Sequence, residues 1–186
     1  MSGSHPANLL IISLFLVAAV CISGCMEEKS EQTTTEITDM ALQSSDFLQN
    51  YTLKEKAVKT ENDVSEQTIE KGWKEGYYTI HYNMLNNATN ITVIEQHISI
   101  FEPGKADDFV RIDLVSNEFA TYRELSDPGI GDLSRAYEVS PANEDDVYYI
   151  LKFSKMNVYE IMYLKGTDKD YISFKEIADI AESKIE

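Results

Sequence analysis

Twice between residues 76 and 164 the chain presents two strand-length segments, rich in tyrosine and isoleucine, separated by a short polar connection. The first pair is 76–84 and 91–101, split by the loop NNATN; the second is 147–153 and 158–164, split near Met156-Asn157. Such pairs form antiparallel hairpins, so the fold is built around a sheet. In the first pair the apolar residues alternate: Tyr78, Ile80 and Tyr82 share one face by the period of two, as do Ile94, Ile98 and Ile100. The second pair is apolar at alternate and intervening positions alike, as in Tyr149, Ile150, Leu151 and Tyr159, Ile161, Met162. Strands of that kind are covered on both faces.

The remaining elements fall around these hairpins. Residues 51–58 read as a strand, and 61–71 have helical character that ends at Gly72. Pro103-Gly104 breaks the chain, and 105–121 is predicted helical, although Asp113 falls among Ala106, Phe109, Val110 and Leu114 on its inner face. Asp127-Pro128-Gly129 marks a turn, 132–139 a strand, and 141–146 a loop. In the last element Ser173 and Glu176 form a capping box, and Phe174, Ile177, Ala178, Ala181 and Ile185 make one stripe. The order β-β-β-α-β-β-β-α predicts an α+β domain whose single antiparallel sheet is sandwiched between helices.

The first quarter of the chain reads as an address. Residues 9–22 (LLIISLFLVAAVCI) are continuously apolar, of signal-peptide length and short of the roughly 20 residues that span a bilayer. The following Ile22-Ser23-Gly24-Cys25 resembles the lipobox of prokaryotic lipoproteins, which implies cleavage before Cys25 and a lipid on its thiol. The leader before the run, MSGSHPAN, departs from the pattern in having no Lys or Arg. A transmembrane anchor with a buried free cysteine is the other reading, and both place the rest of the chain outside. Residues 26–40 are polar and Thr-rich, a composition that cannot bury enough surface to order itself. The expected organisation is a signal peptide over 1–24, a lipid-anchored polar tether over 25–45 and a globular domain over 46–186. Sequons at Asn50, Asn87 and Asn90 are glycosylation candidates on an exported chain.

The formal charge of −16 lies wholly beyond residue 24. So acidic a surface repels phosphate backbones, which excludes nucleic acid as a partner. Cys21 and Cys25 are the only cysteines, so the globular part has no disulfide framework, thiol nucleophile or cysteine zinc site.

Several residues carry a family resemblance: Gly72-Trp73 before the first hairpin, Gly131-Asp132 leading into Ala136-Tyr137, Asn157 in the second hairpin, and the final helix. On these positions the chain from about residue 46 to 185 resembles uncharacterised archaeal surface lipoproteins of methanogen type with a PsbP-like α/β/α domain. The resemblance implies a docking module more than an enzyme and carries no site residue with it.

Catalytic patterns are missing from the sequence: no Gly-X-Ser-X-Gly, HExxH, dinucleotide or phosphate loop, or EF-hand. The acidic runs Glu144-Asp145-Asp146 and Asp168-Lys169-Asp170 read as solvated loops. The strand tyrosines read as packing with hydroxyls at the rim, or else as a partner-facing aromatic patch. Beyond the leader the histidines are His81 and His97. A hairpin centred near Ala88-Thr89 is expected to set Tyr78, Ile80 and Tyr82 with Gln96, Ile98 and Ile100. His81, His97 and Glu95 would then gather on the other face, as a candidate metal site or as a merely polar strand face.

The functional expectation is a non-enzymatic binding or interaction module, without a cofactor, held at the extracytoplasmic side of a cell membrane by lipid on Cys25. Its partner would be an envelope protein or a small ligand. The alternative is a solute- or metal-binding lipoprotein associated with a transporter.

Overall fold

The computed structural model describes residues 31–48, 50–85, 90–142, 147–166 and 170–186. Strands β1 (Thr52–Lys59), β2 (Trp73–Leu85) and β3 (Asn90–Phe101) form one meander, with the short helix α2 (Glu66–Glu70) between β1 and β2. Strands β4 (Ala120–Glu124), β5 (Leu133–Pro141), β6 (Tyr148–Lys155) and β7 (Val158–Gly166) form a second. Antiparallel pairing of β3 with β7 joins them into one seven-stranded sheet of order β1-β2-β3-β7-β6-β5-β4. Between the meanders lies α3 (Ala106–Arg111); the chain ends on α4 (Tyr171–Ser183), and α1 (Ile37–Met40) precedes the sheet.

The two faces differ in what covers them. Ile94, Ile98, Leu151, Phe153, Val158 and Met162 on the inner face are buried under Phe174, Ala178 and Ala181 of α4 and under Ile185. Met40, Ala41 and Leu42, which follow from α1, complete that cover. On the outer face α3 alone packs down, at one end, where Ala106 and Phe109 meet Trp73, Phe101 and Tyr159. Beyond α3 this face carries half-buried tyrosines, Tyr78, Tyr82, Tyr122, Tyr148 and Tyr163.

The expected α/β/α sandwich of PsbP-like type is therefore corrected to a seven-stranded antiparallel sheet with few helices, too short on the outer face to form a layer. The reason lies in the segment 105–121: only Ala106–Arg111 is helical, and Ala120–Glu124 is an extended edge strand paired with β5. Asp113, out of place on a helical inner face, extends to Arg135 Nη1 at 2.6 Å. The helix α4 starts earlier than its capping box implied, because Asp170 is the N-cap and accepts from Ile172 N and Ser173 N. Part of the segment read as a polar tether over 25–45 packs onto the domain. Thr33 N donates to Asn157 Oδ1 at 2.7 Å, Thr34 N to Glu186 O at 2.9 Å, and Ile37, Met40, Ala41 and Leu42 are buried.

Gly131, at the entrance to β5, adopts φ 63°, and a Cβ there would stand 2.2 Å from the carbonyl oxygen of Ser154. That close approach lets Asp132 N donate to the same oxygen at 2.8 Å and lock the β5–β6 corner.

Candidate functional site

The register of the first hairpin decides the fate of the predicted histidine site. Tyr78 stands opposite His97, Ile80 opposite Glu95, and His81 opposite Ile94. The four residues 86–89 between the strands pair even-numbered positions of β2 with odd-numbered ones of β3. Tyr78, Ile80 and Tyr82 consequently share the outer face with Glu95 and His97, while His81 turns to the inner face. The structure brings Glu95 and His97 together and separates them from His81.

On the outer face His97 Nε2 lies 2.5 Å from Glu95 Oε1, and Lys165 Nζ lies 3.4 Å from Glu95 Oε2. The hydrogen bond from His97, with lesser help from Lys165, pulls the Glu95 carboxyl down to about 2. Tyr78 stacks on the imidazole at 5.7 Å and Tyr163 meets it edge-on at 5.9 Å. With both Glu95 oxygens engaged, a metal would have to displace a lysine and break this pair. No group of three His, Cys, Asp or Glu side chains arranged to hold a metal occurs among the described residues.

His81 is fully buried, and among the described residues neither ring nitrogen has a hydrogen-bond partner. Burial holds its pKa below the ordinary histidine value. The Phe47 ring packs against it with centroids 4.9 Å apart.

That same Phe47 opens onto a feature the sequence reading missed. A cleft of about 100 Å³ lies between α4 and Asp46, Phe47, Leu48 and Tyr51. One wall is Phe47 and Tyr51, whose rings stack at 4.6 Å and 28°. The other wall is the apolar stripe of α4, Phe174, Ile177 and Ile180, and Ile94 and Leu164 of the sheet also line the cleft. Asp46, Asp170, Ser173 and Glu176 supply its polar lining, and Leu48, 97% exposed, stands at its edge. Asp46 also accepts from Gln43 N and pairs with Lys184 at 3.0 Å, which ties the wall to α4. The α4 stripe was the one available signal, because Ile177 and Ile180 stay only half-buried.

Two buried charges were also missed. Glu160, on the inner face, has no exposure; Gln96 Nε2 donates to its Oε2 at 2.8 Å and Oε1 has no partner. Burial pushes its pKa up to about 8. Gln96 in turn accepts from Leu42 N at 2.9 Å through Oε1, linking the sheet to the segment after α1. Lys152, on the outer face, is 2% exposed and donates to the carbonyl oxygens of Phe109 and Ile112 at the end of α3. Burial brings its pKa down to about 8.

Of the modification candidates, Asn50 is exposed two residues beyond Leu48 at the cleft. Cys25 and Asn87 lie outside the described residues, as does the side chain of Asn90 at the start of β3.

No protein-family model matches the chain, and no curated protein matches it. Among solved structures it is similar to the extracellular domain of PknH from Mycobacterium tuberculosis, with a TM-score of 0.59 and 11% sequence identity over 82% of this chain and 97% of that one. The likeness is one of fold. Among the described residues no helix is long and apolar enough to cross a membrane.

Proposed function

We propose that the chain is a non-enzymatic binding module of the extracytoplasmic side, anchored to the membrane through lipid on Cys25, and that the cleft beside α4 is where it binds. The observation that carries the reading is the cleft itself: apolar walls with a polar rim, assembled from the first and last parts of the fold. The extracellular setting of the PknH domain supports the location, and the apolar run followed by Ile22-Ser23-Gly24-Cys25 supports the anchor. A tethered module needs only an accessible site, and this one opens at the surface beside the exposed Leu48.

One experiment addresses both halves. Native mass spectrometry of the full chain, released gently from membranes of its host, should show an acylated species lacking residues 1–24 and carrying a bound small molecule. The Phe47→Ala/Ile177→Ala variant should show the same acylation with the small molecule lost. An unacylated chain that retains residues 1–24 sinks the anchor, and identical ligand-free spectra for both proteins sink the cleft.

A further inference from the structure

We infer that the cleft selects small apolar molecules that carry a positive head, such as alkylammonium or arylammonium compounds; this rests on the binding role just proposed for it. The walls set the first requirement. Phe47 and Tyr51 on one side and Ile177 and Ile180 on the other leave a slot between an aromatic stack and an aliphatic helix face, which takes an alkyl chain or a flat ring.

The rim sets the second. Asp46, Asp170 and Glu176 are carboxylates, and among the described residues the lining contains no Lys, Arg or His. Asp46 is engaged by Lys184, and Asp170 by its helix-capping bonds to Ile172 and Ser173. Glu176 is exposed and makes no ion pair among the described residues, so it is the rim carboxylate open to a cation. The negative charge of the chain as a whole works in the same direction and disfavours anionic amphiphiles. The ring stack adds attraction for a cation held at its face.

A third observation comes from behind the wall. His81 is fully buried against Phe47 with both ring nitrogens unbonded among the described residues, so Phe47 shields a polar group that lacks a partner there. Water or a polar group of a ligand reaching past Phe47 would find these nitrogens open to a hydrogen bond.

Three probes of equal chain length separate the possibilities: hexyltrimethylammonium, 1-hexanol and hexanoate, titrated below their aggregation limits into the full chain. Methyl NMR shifts of Ile94, Leu164 and Ile177 report occupancy of the cleft. The ammonium compound should bind about tenfold more tightly than hexanoate, with hexanol between them, and salt should narrow the gap. Glu176→Gln, a surface change, should reduce the preference about threefold, and Leu48→Ala should weaken all three probes alike. Hexanoate binding as tightly as the ammonium compound overturns the ligand class while leaving the cleft as a binding site. Absence of shifts at these methyls with every probe overturns the inference, and the native mass spectrum then decides separately whether the cleft binds anything.

Discussion

Lys152 on the outer face and Glu160 on the inner face are both withdrawn from water, yet their surroundings resolve the charge in opposite ways. The ammonium of Lys152 is met by two main-chain carbonyl oxygens at the end of α3 and by the face of Tyr137 with its ring centre 5.6 Å away, and it stays charged at neutral pH. The carboxyl of Glu160 meets one amide donor, and burial keeps its proton in place. The difference teaches that the inner face is a dry core held by close packing. The outer face carries smaller apolar clusters, Tyr137, Val139 and Ile150 on β5 and β6 and Trp73 and Phe101 under α3, and there α3 sits as a local lid over a cation met by carbonyl oxygens.

The sharpest way to break this comparison is to remove packing from each side. Phe153→Ala empties a fully buried inner position and should cost about 3–5 kcal/mol in urea denaturation. Tyr78→Phe on the open outer face loses only its hydrogen bond to Glu55 and should cost about 1 kcal/mol or less. Equal losses would show that the outer face is packed as tightly as the inner one.

A second test uses pH. The folded state holds the Glu160 proton more tightly than the unfolded chain does, so its contribution to stability is fully present below the ordinary value of 4.5 and is lost as pH climbs to about 8. Lys152 has the reverse sign. Its folded form releases the proton more readily, so its contribution improves as pH rises from about 8 to the ordinary 10.5. In denaturation series across these windows, Glu160→Gln should flatten the first slope and Lys152→Met the second. A wild-type profile that matches Glu160→Gln between pH 4.5 and 8 would mean the carboxyl is hydrated after all.

The smallest expected effect is at the Glu95–His97 pair, where both side chains retain about a quarter of their exposure. Glu95→Gln should cost under about 1 kcal/mol at neutral pH. Because the folded carboxyl titrates at about 2, the difference from wild type should vanish as the pH falls from 4.5 toward that value. A larger loss would make the pair a structural element of the outer face.

Both hairpins were legible because period-two alternation and turn residues are local signals; 76–84 and 158–164 fall inside β2 and β7. What the alternation could not supply was the phase between partners. Tyr78 and Ile98 each belong to a regular stripe, but an even-length connection sets those stripes on opposite faces, and the joint histidine site was lost with that phase. The segment 105–121 misled because Ala106, Phe109 and Val110 do form a helical face, for one turn and a half, before Ile112 leaves in an extended conformation. Residues 26–40 read as too polar to order themselves, yet Ile37 and Met40 within them, with Ala41 and Leu42 beyond, are buried. They are buried by a sheet and a helix that lie far along the chain. The cleft was illegible for the same reason, since its walls come from 46–51, 94, 164 and 170–180 and no local pattern links them.

The threonines at 33–35 and the last residue, Glu186, form a clasp: Thr34 N and the hydroxyls of Thr33 and Thr35 all reach the Glu186 carbonyl oxygen, and Thr35 Oγ1 accepts from Glu186 N. A pull on the chain at Thr33 enters the fold at this clasp. It is met first by the bond from Thr33 N to Asn157 in the β6–β7 turn and then by the clasp bonds of Thr34 and Thr35, loaded in turn. The strand ladders lie behind that point, so tension unzips the clasp and the segment around α1 before it shears the sheet. Because that segment leads directly to Phe47, the order of yielding under load runs from the clasp to the wall of the cleft before it reaches the sheet.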